Sequence, residues 1–278
     1  LWHHFLRHSQ ALMSHWEAII LGLIQGLTEF LPVSSSGHLE LGKSLFGLAE
    51  VDLTFSILVH GATACSTLVV FRKDIAQLIV GSFASESSRA EPARKYVFWL
   101  AISVIPAVLV AFTLRHALED FFINHPNRVG WSLCATALIL FASERVKPQK
   151  QDVSLKTGLL IGCAQAFAII PGISRSGSTI GAAIALGISR EEAARFSFLM
   201  ALPVIFGATA LELIDLYQDG IGQGAAVSWQ AYALGAVAAF TSGWVACQWM
   251  IRFVKRTKMH TFAVYCLVVG LLTSFLLA

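Results

Sequence analysis

Charge is what this sequence has least of. Only 13% of its 278 residues are Asp, Glu, Lys or Arg, and 56% are hydrophobic. A soluble domain carries about 25% charged residues. So little polar surface cannot cover a water-soluble body, which excludes a soluble enzyme or binding module. The net charge of +3 is small and there is no basic stripe, which excludes a nucleic-acid partner. No CxxC pair occurs. Cys65, Cys134, Cys163, Cys247 and Cys266 all fall within apolar runs and read as small buried hydrophobes rather than redox or metal groups. Residues 1–12, LWHHFLRHSQAL, lack the long apolar core and small-residue cleavage site of a signal peptide. With His3, His4 and His8 they read as a tag-like remnant or extended start ahead of Met13.

What is present is a series of apolar runs along the whole chain. They lie at about 17–31, 34–47, 53–71, 96–115, 128–144, 155–170, 174–188, 193–216, 228–251 and 260–278, the pattern of a polytopic membrane protein. Six approach the ~20 residues a spanning helix needs. The first, second, sixth and seventh are shorter, and each short pair is joined by a tight polar turn, PVSSSGH or PGISRSG. Irregular backbone at membrane depth is tolerated where protein or a water-filled cavity surrounds it, so each pair is expected to be a re-entrant helical hairpin.

The two hairpins are related. One constant offset carries Gly22 onto Gly162, Gln25 onto Gln165, Ser34 onto Ser174, and Ser36-Gly37 onto Ser176-Gly177. Each half then has one hairpin and three long helices, so the second half enters from the opposite face. The expected architecture is all-α: an inverted repeat with six spanning helices and two re-entrant hairpins, about ten helices in all. Residues 13–150 form the first repeat and 151–278 the second, in one membrane domain. In such repeats functional sites often lie near the bilayer midplane. Basic residues crowd the connections at 72–95, 145–156 and 252–258, whereas 217–227 has none. Positive loops face the cytoplasm, so both termini are expected outside.

The turn PGISRSGST, Pro171 to Thr179, places a cation inside the apolar body. Ser174, Ser176, Ser178 and Thr179 surround Arg175 with hydroxyls, and Gly172 and Gly177 let the backbone approach closely. A helix N-terminus and an arginine fork together favour phosphate. The turn lacks the GxxxxGK[ST] spacing, which excludes a P-loop. A structural ion pair, or an arginine snorkelling to the interface, would account for Arg175 equally well by itself.

The other turn supplies acid–base groups. Gln25 and Glu29 share a helix face, and Ser34, Ser35, Ser36 and His38 follow. Serines at a proline turn are more often caps than nucleophiles, so two of the three read as caps. The set offers a base or nucleophile (His38 or Ser35), a carboxylate to orient it or hold a metal (Glu29), and a cation for phosphoryl oxygens (Arg175). His60, Glu144 and Glu212 read as packing residues. Pro106 and Pro203 are expected to kink their helices, and Gln165 to hold its hairpin together.

The motifs QGLTEFLPVSSSGH and PGISRSGST resemble the paired signatures of the undecaprenyl-diphosphate phosphatase family, the integral-membrane bacitracin-resistance phosphatases. The resemblance runs from about Met13 to the end. It implies removal of the terminal phosphate from a C55 polyprenyl diphosphate, which recycles the lipid carrier of the cell envelope. It further implies a site open to the outer face of the bacterial inner membrane and a divalent cation, Mg2+ or Ca2+, with Glu29 as a candidate ligand. Carried over by position, Gln25 and Glu29 occupy the family's E/Q-xxx-E pair, Ser35 and His38 its serine–histidine turn, and Ser174, Arg175 and Thr179 its second motif. Ser34, Ser36, Ser176 and Gly177 complete the expected substrate cradle. Gln25 stands where some members have glutamate, so a mechanism needing two carboxylates there is in doubt. The motif leaves open whether Ser35 or His38 attacks, with His38 favoured. A homodimer is compatible with the sequence, which has no clear dimer motif. The competing reading is a polyprenyl-phosphate transporter or flippase, since inverted repeats with broken helices are common in transporters.

Overall fold

The computed structural model describes residues 13–48, 53–122, 126–146, 151–219, 227–256 and 259–276. The start at 1–12 and the side chain of Glu212 lie outside the described residues. Among those described there are eleven helices and no strands: α1 (His15–Phe30), α2 (Ser35–Leu45), α3 (Leu53–Val70), α4 (Arg72–Ser82), α5 (Ser87–Phe122), α6 (Pro126–Ser143), α7 (Leu155–Phe167), α8 (Arg175–Ala185), α9 (Arg190–Asp219), α10 (Trp229–Arg256) and α11 (His260–Leu276). The protein is an all-helical polytopic membrane protein. Large apolar side chains such as Phe112, Leu138 and Phe275 stay exposed, an outer surface suited to hydrocarbon and not to water.

Helices α5, α9 and α10 are each long and apolar enough to cross a bilayer, and α3 with α4 makes a fourth crossing if the bent pair is one span. α2 and α8 have 11 residues each. At 1.5 Å per residue they reach only about 17 Å, well short of a ~30 Å hydrocarbon core. Helices α1–α2 and α7–α8 are therefore hairpins that turn back inside the protein.

The connection 72–95 differs from the expected basic loop. It is helical, α4 being bent 68° from α3. It carries basic Arg72 and Lys73 at its start and exposed Ile79 and Val80 later, the composition of a helix lying along an interface. Pro106 and Pro203 lie within α5 and α9, as does Pro92 within α5. The cysteines divide: Cys134, Cys247 and Cys266 are buried as expected, whereas Cys65 and Cys163 face outward, which bare thiols tolerate against lipid.

Packing follows the repeat. α1 lies against α10 and its counterpart α7 against α5, while α6 pairs with α11 and α3 with α9. A Cβ added at Gly22 would collide with the Gly235 carbonyl, and one at its repeat-mate Gly162 with the Ser103 carbonyl. Where α6 crosses α11 the contact is reciprocal. A Cβ on Gly130 would sit 2.6 Å from the Gly270 carbonyl oxygen, and one on Gly270 2.7 Å from that of Gly130. Such mutual contact is the mark of a two-fold relation.

Candidate active site

Each hairpin turn is built around a capping serine. Ser34 Oγ accepts from Gly37 N at 3.3 Å at the start of α2, and Ser174 Oγ from Gly177 N at 3.0 Å at the start of α8. Their hydroxyls pair with Ser36 and Ser176 at 3.4 and 3.3 Å. So Ser34 and Ser174 are the caps; of the three serines in the first turn only Ser34 caps α2, not two as expected, and Ser35 is not a cap. The turns differ in one respect. Ser34 has φ 69°, the sole positive φ at a non-glycine among the described residues, while Ser174 has φ −70°. A serine held there costs about 1–3 kcal/mol.

The two tips meet. Ser176 Oγ donates to the Leu31 carbonyl at 3.0 Å. A Cβ on Gly177 would lie 3.3 Å from Pro32 Cβ, and one on its repeat-mate Gly37 3.6 Å from Gly172 Cα. The approach is tight at Gly177 and ordinary van der Waals contact at Gly37. Phe30, beside the first tip, stands edge-on to Phe198 of α9 with centroids 5.6 Å apart, which seats the first tip in the core of the second repeat. Thr136 of α6 holds the second tip by accepting from Ser174 N at 3.0 Å.

At the junction Arg175 Nη2 donates to Glu29 Oε1 at 2.6 Å. Glu29 Oε2 accepts from Ser35 Oγ at 2.6 Å and from Gln25 Nε2 at 3.0 Å. Glu29 is buried, with 8% of its side chain accessible, and Arg175 nearly so. The expected structural ion pair exists, but it does not use up the arginine. Arg175 Nη1 is buried and has no partner, and neither has Gln25 Oε1. A buried cationic donor left unpaired is costly, and here it lies between the N-termini of α2 and α8, where helix dipoles favour an anion.

His38 stands apart from the Ser35–Glu29 pair. Its Nδ1 is 2.8 Å from the Ser34 carbonyl oxygen and its Nε2 2.7 Å from the Tyr265 hydroxyl. Sequence reasoning did not single out Tyr265, whose partner is 227 residues away and which looks like any aromatic in an apolar run. Thr179 Oγ1 is engaged by the Arg175 carbonyl at 2.8 Å and Ser197 at 2.5 Å, so it braces α8 against α9 and does not face the opposite tip. Gln165 is buried but neither amide atom has a partner, so it does not hold its hairpin by hydrogen bonds. Glu144 approaches Arg190 and His260 at 3.9 and 3.7 Å, and His60 Nδ1 is bonded to the Ser56 carbonyl at 2.8 Å.

Taken together, fold and junction define a multi-pass membrane protein with a buried junction that holds the Arg175–Glu29 pair and serine hydroxyls. A family model described as "Bacitracin resistance protein BacA" matches residues 18–272, and the chain belongs to that family. Relatives named undecaprenyl-diphosphatase align over nearly their whole length. The one from Christiangramia forsetii is 45% identical over 262 residues, covering 93% of this chain and 97% of the relative. That from Parabacteroides distasonis is 46% identical over 265 residues, covering 94% and 97%. That from Halothermothrix orenii is 36% identical over 270 residues, covering 95% and 98%.

Proposed function

We propose that this protein hydrolyses a C55 polyprenyl diphosphate to the monophosphate and inorganic phosphate, recycling the lipid carrier of the cell envelope. One observation carries the reading: the free, buried Nη1 of Arg175 beside the Glu29–Ser35 pair, between two helix N-termini. The names of the relatives support the substrate. A long-chain lipid also suits a site inside the membrane, because each CH2 kept out of water is worth about 0.8 kcal/mol.

In this reading Arg175 and the N–H groups at the starts of α2 and α8 bind the terminal phosphate. Ser35 Oγ, its proton passing to Glu29 Oε2, bonds to the terminal phosphorus. The bond to the bridging oxygen breaks and the polyprenyl monophosphate leaves. Water then adds to the phosphoserine, giving its proton to His38 Nε2; the phosphorus bond to Ser35 Oγ breaks, Glu29 returns its proton to that oxygen, and phosphate is released. The hydrogen bond from Ser35 to Glu29 favours Ser35 as nucleophile, while both nitrogens of His38 are engaged elsewhere.

A divalent cation, Mg2+ or Ca2+, fits the same residues. Gln25 Oε1 is a buried oxygen without a partner next to the Glu29 carboxylate, and hard cations take oxygen donors, with Mg2+ drawing the rest from phosphates and water. When bound, the ion would neutralise charge on the diphosphate. We place the protein in the bacterial inner membrane, with both termini and the site's opening on the outer face. The reciprocal crossing of α6 and α11 favours lipid transport as a second reading, since two-fold related repeats can rock about such a contact.

The test is phosphate release from farnesyl or undecaprenyl diphosphate by detergent-purified protein, with and without EDTA. Metal-dependent release, abolished by His38→Ala and by Arg175→Ala, is expected. Folded protein that releases none with Mg2+ or Ca2+ would refute hydrolysis and turn attention to transport in reconstituted vesicles.

A further inference from the structure

The last helix reaches the site at one point. Cys266 Sγ donates to the Pro32 carbonyl of the first tip at 3.5 Å. The preceding residue, Tyr265, sets its hydroxyl 2.7 Å from His38 Nε2. The two rings stack, with centroids 5.5 Å apart and planes inclined by 12°. The opposite nitrogen, Nδ1, lies 2.8 Å from the Ser34 carbonyl oxygen. A carbonyl can only accept, so Nδ1 carries a proton. In the neutral ring Nε2 is then a lone pair, and the Tyr265 hydroxyl donates to it. Two partners from distant parts of the chain therefore select one tautomer and one ring plane. One is the carbonyl of the strained Ser34 turn, and the other is an α11 side chain.

We infer that Tyr265 is a positioning residue that holds His38 with Nδ1 protonated and Nε2 ready to accept a proton. This rests on the hydrolysis proposed above and gives His38 its part in it. When water displaces the Tyr265 hydroxyl, the water proton passes to Nε2, its oxygen bonds to phosphorus, and the phosphorus bond to Ser35 Oγ breaks as Glu29 returns its proton to that oxygen. The Ser34–His38 contact stops the ring from turning over to present Nδ1–H instead, which would offer a donor where the step needs an acceptor. Tyr265 is 44% exposed, so it is not part of the buried core.

Tyr265→Phe keeps the stacked ring and removes the donor. With a polyprenyl diphosphate as substrate, kcat is expected to fall about tenfold or more, while KM stays within about twofold. A spectroscopic readout does not depend on turnover. In 15N-histidine-labelled protein, His38 is assigned by its disappearance in His38→Ala. The parent is expected to show distinct protonated Nδ1 and unprotonated Nε2 resonances, and Tyr265→Phe to move them toward tautomeric averaging. Parental kcat in Tyr265→Phe, or His38 resonances that do not move, overturns the inference. A parent that releases no phosphate, but whose His38 resonances still shift in Tyr265→Phe, overturns the hydrolysis reading alone and leaves the positioning contact established.

Discussion

Arg175 has two tasks that lysine cannot divide. One nitrogen is bonded to Glu29 at 2.6 Å while another, buried, has no protein partner. Lysine would keep the charge but present a single ammonium in place of a planar fork. Arg175→Lys is therefore expected to fold, since Glu29 keeps a cationic neighbour, and to lose about 100-fold in kcat/KM, as removal of one transition-state donor does elsewhere. Steady-state phosphate release checks it, with parental kcat/KM counting against the free nitrogen as the phosphate donor. Glu29→Ala would confuse matters by leaving a buried arginine unpaired, a loss of about 3–5 kcal/mol. Gln25, Glu29 and the two serine turns stood out as candidates in sequence because each lies within one or two turns of the next; the choice of Ser35 over the favoured His38, and which serines cap, did not, because both depend on hydrogen-bond distances. Tyr265 did not stand out, because nothing local to it points to His38.

At the level of elements, glycine decides how close the helices come. Gly22 abuts the Gly235 carbonyl, whereas a Cβ at Gly207 would meet nothing. Gly22→Val is expected to destabilise by about 1–3 kcal/mol through overpacking. Gly207→Ala, inside α9, should be neutral or stabilising by up to about 1 kcal/mol. Thermal unfolding in detergent distinguishes them, and equal midpoints would mean that the α1–α10 contact is looser than its geometry. Hairpin lengths were readable from the apolar runs. The break at Phe71 and the helical state of α4 were not, because a short stretch mixing basic and apolar residues reads equally as a loop.

At the scale of the whole molecule, packing brings two turns far apart in the sequence to one junction. In the orientation proposed above, the basic connections face the cytoplasm. In a cysteine-free background, His15→Cys is expected to react with an impermeant thiol reagent added outside intact cells, and Ser85→Cys only after the membrane is breached. The reverse pattern would invert the proposed orientation. Hydrolysis should also depend on a divalent cation, with EDTA removing phosphate release and Mg2+ or Ca2+ restoring it. Release undiminished by EDTA would remove the ion from the reading.

Composition and motif order by themselves determined that the chain lives in a membrane, that its halves repeat, and that two polar turns interrupt the apolar runs. These follow from hydrophobicity and periodicity, which are local properties. Tertiary structure decided the assignments that depend on hydrogen-bond distance between residues far apart. Packing assigned Ser35 to Glu29, turned His38 toward Tyr265, spent Thr179 on Ser197, and left one nitrogen of Arg175 unpaired. A hydrogen bond is made or lost within a few tenths of an ångström, and only the packed helices set distances that finely.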